Sequence, residues 1–226
     1  MAKFPRLQVL TAMIDTGLVP VFYHDDAETA QSILAALTAG GARTIEFTNR
    51  GDHAFEVFSD LEKYASIEHP DVILGIGSVV DAVTAGLYLD LGANFVVGPM
   101  LNQEVARICN RRKVAYSPGC ATLTEISTAE ELGCEIVKIF PGDLVGGPAF
   151  VKTIHGPCPW SLLMPTGGVD ITHESLATWF GAGVACVGIG SKLVSNELVQ
   201  ASDWSELERR TAQVVATIET VRNESQ

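Results

Sequence analysis

Short apolar runs rich in β-branched residues alternate along the chain with longer segments of helical period, and this alternation constrains the fold most. Eight runs are candidate strands: 19–23, 44–48, 72–77, 95–99, 114–119, 136–141, 162–168 and 185–190. Such alternation is typical of a parallel sheet wrapped by helices. At roughly 25 residues per unit, eight units need about 200 residues, the lower end for a closed eight-stranded barrel.

The predicted fold class is therefore α/β, with a single-domain (β/α)8 TIM barrel over residues 1–226. An open doubly wound sheet is the competing architecture. Residues 1–18 are predicted to form an N-terminal amphipathic helix, and residues 203–223 a C-terminal helix. The predicted apolar face of the first helix consists of Leu7, Leu10, Ile14 and Leu18.

The charge balance argues against several kinds of partner. The chain carries 15 Lys and Arg against 27 Asp and Glu, a formal charge of -12. This charge repels polyphosphate backbones and anionic membrane surfaces, so we expect no nucleic-acid partner. An anionic metabolite is repelled too, and must be held by a few local donors. No apolar run approaches the roughly 20 residues of a membrane span, so we expect no membrane partner.

Cysteine usage favours a reducing compartment. The chain has five cysteines, with no CxxC pair and no small-domain disulfide spacing: Cys109, Cys120, Cys134, Cys158 and Cys186. This pattern suits free thiols in a cytoplasmic enzyme. Near the start, Gln8, Thr11 and Asp15 interrupt the apolar stretch, so we expect no signal peptide. The expected location is the cytoplasm.

Lys138 stands in the middle of the apolar run EIVKIFP, where a charged side chain is costly. Because side chains alternate along a strand, Lys138 faces away from Val137 and Ile139. Apolar helices cover the outside of a barrel, so the interior is the easier place for the amine. Burial favours the neutral amine, which can attack a ketone and form a Schiff base. The structural alternative is a lysine paired with a carboxylate such as Glu46.

Other strand ends carry polar side chains that suit the same chemistry. Glu46 stands between Ile45 and Phe47 in a second apolar strand. It can shuttle protons at a substrate, or it can be the other half of a buried ion pair. Arg50 offers a planar fork for a substrate carboxylate, with Ser78 as a second donor. A strand-end arginine can equally bridge two loops.

The glycine-rich segments PTGGVD and VGIGS follow the last two predicted strands. Barrel enzymes often hold a phosphate at these two positions, among backbone N–H groups and a helix N-terminus. Either segment alone is a weak signal, since glycine also serves tight turns. The two together favour a site for a phosphate or a similar oxyanion.

Taken in order, the strand-end segments resemble the 2-keto-3-deoxy-6-phosphogluconate (KDPG) / 4-hydroxy-2-oxoglutarate (KHG) aldolase family. These segments are VPVFY, TIEFTNRG, GIGSV, FVVGP, SPGCATLTE, VKIFPGD, PTGGV and VGIGSKLV. The likeness runs from about residue 19 to residue 194. It implies a carbon–carbon lyase of the Entner–Doudoroff pathway on a (β/α)8 barrel, commonly a homotrimer, that uses a Schiff base and needs no metal or cofactor. Its small-molecule substrate would be a 2-oxo acid, expected to be phosphorylated. The named candidates are 2-dehydro-3-deoxy-6-phosphogluconate and/or 4-hydroxy-2-oxoglutarate, split to pyruvate plus glyceraldehyde 3-phosphate or glyoxylate.

The resemblance also implies residue roles. Lys138 matches the imine-forming lysine and Glu46 the acid/base group. The positions that match substrate-binding residues are Arg50, Ser78, Pro99, Phe140, Thr166, Gly167, Gly168, Gly190 and Ser191. Among these, Arg50 would hold the pyruvate-end carboxylate. The phosphate would be held by Gly167, Gly168, Gly190 and Ser191. Asn49, Gly51 and Gly98 depart from the best-known members, which bears on substrate preference more than on reaction type.

Several alternatives stay open. A 2-dehydro-3-deoxy-6-phosphogalactonate aldolase would share the pyruvate end. A metal-dependent aldolase would need clustered ligands, but the five histidines show no HxH or HxxxH spacing. A phosphate-binding barrel isomerase or synthase would keep the glycine-rich ends without needing Lys138. A barrel retained only for binding or as a scaffold would need no Lys138, Glu46 and Arg50 together.

Overall fold

A computed structural model describes residues 1–224, so the last two positions of the predicted domain, 225 and 226, lie outside the described residues. The strands within this range are β1 (Leu18–Phe22), β2 (Thr44–Thr48), β3 (Ile73–Gly77), β4 (Phe95–Val97), β5 (Ala115–Ser117), β6 (Gly119–Cys120), β7 (Ile136–Ile139), β8 (Leu162–Pro165) and β9 (Val187–Ile189). The helices are α1 (Arg6–Thr16), α2 (Ala27–Ala39), α3 (Ala54–Glu68), α4 (Ala82–Asp90), α5 (Gln103–Arg112), α6 (Leu123–Glu131), α7 (Gly147–His155), α8 (His173–Gly181), α9 (Asn196–Ala201) and α10 (Trp204–Glu224). The alternation confirms the predicted α/β class.

The strands form two sheets rather than the single closed sheet that was predicted. Six strands pair in the order β5-β4-β3-β2-β1-β9, and three pair in the order β6-β7-β8. Every strand pair within residues 1–224 is parallel. The six-stranded sheet curls into a half-barrel, so the fold prediction is confirmed only in its coarser form. At one junction of the sheets, Thr166 forms a parallel bridge to Gly188.

The predicted fifth strand is divided at Pro118. Proline has no backbone N–H and cannot donate a hydrogen bond to a neighbouring strand. Before it, β5 pairs with β4; after it, Gly119 and Cys120 pair with β7. The Pro118 carbonyl accepts a hydrogen bond from the backbone N–H of Lys138 at 3.0 Å. The chain therefore passes from one sheet to the other at this proline.

Alternate strand residues pack into two separate apolar cores. The outer core lies between strands and helices and includes Val137 and Ile139. The inner core contains Val19, Ile73, Phe95, Val97, Ala115, Ile136, Met164 and Cys186. These residues come from both sheets, and α1 adds Val9, Ala12 and Met13 to them. The sheets therefore enclose an interior that α1 covers.

The N-terminal helix differs from its prediction at both ends. It begins after Pro5 and ends before Gly17, whose φ of 71° is the left-handed conformation that glycine tolerates best. Leu18 belongs to β1, and Leu7 is 74% exposed. The prediction was wrong for these two leucines because α1 turns the side that contains Met13 toward the inner core.

Replacing Phe95 tests whether the inner core stabilises the fold. It is 1% exposed, and a Cβ at Gly75 would lie 2.5 Å from its ring. We expect Phe95→Ala to leave a cavity and to lower the free energy of unfolding by about 3–5 kcal/mol in urea denaturation. The control is Phe55→Ala on α3, where the side chain is 40% exposed and the expected loss is about 1 kcal/mol. Equal losses in the two variants would contradict the described core.

Candidate active site

Lys138 faces the interior that the two sheets enclose. Its neighbours Val137 and Ile139 pack in the outer core, whereas Ile136 lies in the inner core. Lys138 shares the strand face of Ile136 and is 6% exposed. Its Nζ lies 5.0 Å from the centre of the Phe140 ring, which is the next residue on that face. The amine is thus withdrawn from bulk solvent, as a nucleophilic lysine requires.

Glu46 is a buried carboxyl group whose pKa is affected by the charge on Lys138. It is 1% exposed. Burial raises the pKa of the Glu46 carboxyl, while the charges of Lys138 and Arg50 oppose the rise. Its Oε2 is buried and has no hydrogen-bond partner within residues 1–224. A buried oxygen without a partner is costly, so this atom is a candidate to meet a substrate.

Gly77 leaves the space that the Glu46 carboxylate occupies. A Cβ at position 77 would overlap Glu46 Oε1. Glu46 is in register with Gly75, and Thr48 is in register with Gly77. The Glu46 side chain therefore leans along β2 toward the carboxyl end of the sheet. Sequence reasoning missed this role, although a glycine ending the strand next to β2 was visible.

Arg50 and Ser78 meet at the carboxyl ends of β2 and β3. Arg50 Nε donates a hydrogen bond to Ser78 Oγ at 3.3 Å. Ser78 has a φ of 59°, a left-handed conformation that is uncommon for a residue with a side chain. This turn brings its hydroxyl to the arginine. The exposed guanidinium can still offer parallel N–H groups to a carboxylate.

A cavity of about 440 Å³ opens at the carboxyl ends of the strands. The predicted site residues that line it are Arg50, Phe140, Thr166, Gly167, Gly168, Gly190 and Ser191. Lys138 and Glu46 lie one layer deeper, because they precede Phe140 and Thr48 by one step on the same strand faces. The structure thus brings the predicted residues to one end of the fold.

Pro99 lies farther round the same end and does not line the cavity. A Cβ at Gly119 would overlap the Pro99 carbonyl. Gly119 is the strand partner of Lys138. Pro99 therefore packs against the backbone of β6, the strand that pairs with the one containing Lys138.

Thr166 supplies a second buried oxygen to the candidate site. Its Oγ1 forms no hydrogen bond within residues 1–224. The hydroxyl lies over Gly188, where a Cβ would overlap it. Gly167 and Gly168 follow with φ of 89° and 74°, so the chain turns tightly along the cavity wall. This wall presents backbone and one hydroxyl rather than bulky side chains.

Sequence reasoning missed several cavity residues. Tyr23, His24, Lys192 and Asn196 also line the cavity. The signal for the first two was their position directly after β1, where barrel folds place function. Lys192 directly follows Ser191, which was predicted. The segment around Lys192 consists mostly of glycine and apolar residues, which indicates a backbone site rather than a charged one.

Two of the departures from the family pattern have structural explanations. A Cβ at Gly51 would overlap the hydroxyl of Tyr23, so this glycine makes room for the tyrosine. Asn49 Oδ1 accepts a hydrogen bond from the Tyr88 hydroxyl at 2.8 Å. Burial raises the pKa of Tyr88 to about 12, so the phenol remains a donor. Tyr88 belongs to the outer core, so Asn49 is turned away from the cavity.

Other features bear on ligands and partners. In residues 1–224, no group of three His, Cys, Asp or Glu side chains is arranged to hold a metal ion. None of the helices in that range combines the length and apolar character needed to span a bilayer. The five cysteines are free thiols.

The family model described as KDPG and KHG aldolase matches residues 9–210. The chain belongs to this family. The 2-dehydro-3-deoxy-phosphogluconate aldolase of Pseudomonas aeruginosa is 33% identical over 210 residues, which cover 90% of this chain and 92% of that relative. The KHG/KDPG aldolase of Escherichia coli strain K12 is 28% identical over 207 residues, with 90% and 93% covered. The family predicted from the strand-end motifs is confirmed.

A solved KDPG aldolase from Legionella pneumophila has a closely similar fold. It superposes with a TM-score of 0.83 at 26% identity, over 92% of this chain and 98% of that one. That structure is described as holding pyruvate captured at low pH as a covalent carbinolamine intermediate. A second similar structure, described as native KDPGal, has a TM-score of 0.76 at 25% identity, with 92% and 95% covered.

Replacing Gly77 tests how the Glu46 carboxylate is positioned in this aldolase-family site. A methyl group from Gly77→Ala would displace Glu46, so we expect kcat for release of pyruvate from a 4-hydroxy-2-oxo acid to fall about a hundredfold with little change in KM. The control is Gly86→Ala on α4, where the nearest atom to a Cβ is 3.4 Å away. A Gly77→Ala enzyme with normal kcat would contradict this positioning.

The raised pKa of Glu46 predicts a pH-dependent effect on stability. The unfolded carboxyl ionises near its ordinary value of 4.5, but the buried one ionises at higher pH. The wild-type fold therefore loses stability as the pH rises through that window. We expect the stability of Glu46→Gln relative to wild type to be greater at pH about 8 than at pH about 4 in urea denaturation.

The control for this measurement is Glu131→Gln, which changes an exposed carboxyl at the end of α6. Its stability difference from wild type should stay nearly constant between the two pH values. A Glu46→Gln difference that is equally constant would mean that burial does not raise the pKa of Glu46.

Proposed function

We propose that the chain is a Schiff-base aldolase that splits a 4-hydroxy-2-oxo acid into pyruvate and an aldehyde. The observation that carries the proposal is a buried lysine near a buried carboxyl group, beneath a cavity lined by donors. One oxygen of that carboxyl group has no hydrogen-bond partner among the described residues 1–224. Membership of the aldolase family supports the reaction class. The carbinolamine described for the Legionella pneumophila relative supports covalent chemistry with pyruvate.

In the proposed reaction, Lys138 Nζ attacks C2 of the 2-oxo acid. The carbinolamine loses water and becomes a protonated imine. Arg50 binds the C1 carboxylate through its planar fork, which fixes C2 near the amine. Thr166 Oγ1, which has no hydrogen-bond partner within residues 1–224, donates to an oxygen of the bound substrate. Phe140 excludes water from the side of the amine that it covers.

Glu46 then removes the proton from the C4 hydroxyl, directly or through a water, and the C3–C4 bond breaks. The electron pair of that bond moves into the imine to give an enamine, and the aldehyde leaves. Glu46 returns the proton to C3, and hydrolysis of the imine releases pyruvate and restores the amine. The raised pKa of Glu46 suits this cycle, since the carboxyl must accept and donate a proton near neutral pH.

The proposed substrates are 2-dehydro-3-deoxy-6-phosphogluconate and 4-hydroxy-2-oxoglutarate, whose aldehyde products are glyceraldehyde 3-phosphate and glyoxylate. Gly167, Gly168, Gly190 and Ser191 line the part of the cavity proposed for the phosphate. The galactonate epimer remains a second candidate, supported by the similar structure described as native KDPGal. A barrel isomerase or synthase is disfavoured because it gives no reason for a buried Lys138.

We also infer that the two sheets close into one (β/α)8 barrel, in a single domain over residues 1–226. The inner core drawn from both sheets supports closure. So do the Thr166–Gly188 bridge and the hydrogen bond from Lys138 N–H to the Pro118 carbonyl. In this arrangement α1 covers the amino-terminal end and the cavity opens at the carboxyl-terminal end.

The proposed assembly is a homotrimer in the cytoplasm. Large apolar side chains are exposed on and beside α4: Val80, Val83, Leu87 and Met100. Asn102 Nδ2 donates to the Val80 carbonyl at 3.0 Å and holds two of these segments together. Exposed apolar patches commonly mark interfaces between copies. The free cysteines support a reducing compartment, and the mechanism needs no metal or cofactor because Lys138 supplies the electron sink.

Borohydride reduction in the presence of pyruvate tests the proposed function. We expect peptide mass spectrometry to find a reduced three-carbon adduct on Lys138, because hydride reduces the imine to a stable amine. Lys138→Met should form no adduct and should lower kcat/KM by at least about a thousandfold. The control is Lys63→Met, an exposed lysine on α3. An adduct on another lysine, or an active Lys138→Met enzyme, would refute the proposal.

A further inference from the structure

The cavity has an unusual charge for a chain this acidic. The chain carries 27 Asp and Glu, yet the described residues that line the cavity include neither type. The lining does include the cationic side chains of Arg50 and Lys192, together with His24. An anionic ligand is repelled by the chain as a whole but attracted by this lining.

Arg50 and Lys192 stand at separate strand ends. Arg50 follows β2 and Lys192 follows β9, and β1 lies between these strands in the sheet. Adjacent strands lie about 4.8 Å apart, so two spacings separate these strand ends by roughly 10 Å. The lining therefore offers two positive charges to a ligand with an anionic group at each end.

The spacing of these strand ends favours the longer of the two proposed substrates. An extended chain advances about 1.2 Å per bond, so the roughly seven bonds from C1 to phosphorus in the phosphorylated six-carbon acid span about 8 Å, and the roughly four between the carboxyl carbons of 4-hydroxy-2-oxoglutarate span about 5 Å. The longer molecule matches the spacing of the strand ends. The shorter one does not reach from one strand end to the other.

Lys192 is held at the cavity rim by Asp170. Its Nζ lies 2.9 Å from Asp170 Oδ2, and this contact lowers the pKa of the Asp170 carboxyl. Asp170 is itself fixed, because its backbone N–H donates to Ser175 Oγ at 3.0 Å. The Lys192 side chain is 63% exposed, so its ammonium keeps further N–H donors for a ligand.

We propose that Lys192 is a specificity-determining residue that binds the distal phosphate and makes the site prefer a phosphorylated six-carbon substrate over the shorter diacid. The proposal rests on the proposed function, in which Arg50 holds the C1 carboxylate. The backbone of the glycine-rich segments supplies neutral donors that accept a hydroxyl as well as a phosphate. The lysine adds the charge that separates these two groups.

Three substrates test the role of Lys192: 2-dehydro-3-deoxy-6-phosphogluconate, its unphosphorylated form and 4-hydroxy-2-oxoglutarate. Lys192→Met should lower kcat/KM for the phosphorylated acid about tenfold to a hundredfold, mainly through KM, and change the other two less than about twofold. Lys192→Arg should retain most of the preference for the phosphorylated acid. The control for net charge is Lys152→Met, an exposed lysine on α7 outside the cavity, which should alter none of the three.

An equal loss on all three substrates, or an unchanged kcat/KM for the phosphorylated acid, would overturn the role of Lys192. If the wild type releases pyruvate from none of them, the proposed function fails instead. Calorimetric titration with inorganic phosphate then still decides the binding role. Weaker binding to Lys192→Met than to Lys152→Met supports it, and equal binding overturns it.

Discussion

An amine and a carboxyl group are buried near each other in a largely apolar interior, and their desolvation is a cost that the rest of the fold must offset. Lys138 and Glu46 are both nearly inaccessible to solvent. The inner core lies on the same strand faces and is covered by α1, and the outer core packs strands against helices. Both cores are extensive enough to tolerate two unfavourable groups. Stability supplied by apolar packing thus offsets the cost of burying these two groups.

Two glycines make room for polar groups of the candidate site. Gly77 leaves room for the Glu46 carboxylate, and Gly188 leaves room for the Thr166 hydroxyl. Glu46 Oε2 and Thr166 Oγ1, one atom from each of these two side chains, are buried and have no hydrogen-bond partner among residues 1–224. The missing side chains of these glycines therefore leave the space that the polar groups occupy. A ligand that hydrogen-bonds both oxygens would remove part of the cost of burying them.

Period and composition predicted the features that depend on local sequence. The alternation of strands and helices gave the α/β class, and the two-residue period of β7 placed Lys138 opposite Val137 and Ile139. The division of the predicted fifth strand at Pro118 follows from the missing backbone N–H of proline. It could have been predicted from the sequence. The exposure of Leu7 was not foreseeable, because it depends on how α1 meets the inner core.

Features that depend on contacts between distant segments were beyond the sequence. Gly77 makes room for Glu46 because β2 and β3 pair in a particular register. The position of Lys192 depends on its ion pair with Asp170, which is distant in sequence. The resemblance to a known family identified the predicted site residues by position. It showed that Gly51 departs from the family pattern, but not that this glycine makes room for the Tyr23 hydroxyl.

Hydrogen exchange at C3 of pyruvate tests the central claim most directly, because it needs only the imine and the acid/base group. In deuterated water, the wild type should exchange the methyl protons of pyruvate, as followed by proton NMR. Glu46→Gln should still form the imine with Lys138 but should exchange about a hundredfold more slowly. Exchange at the wild-type rate in Glu46→Gln would contradict the account, because another group would then be moving the proton.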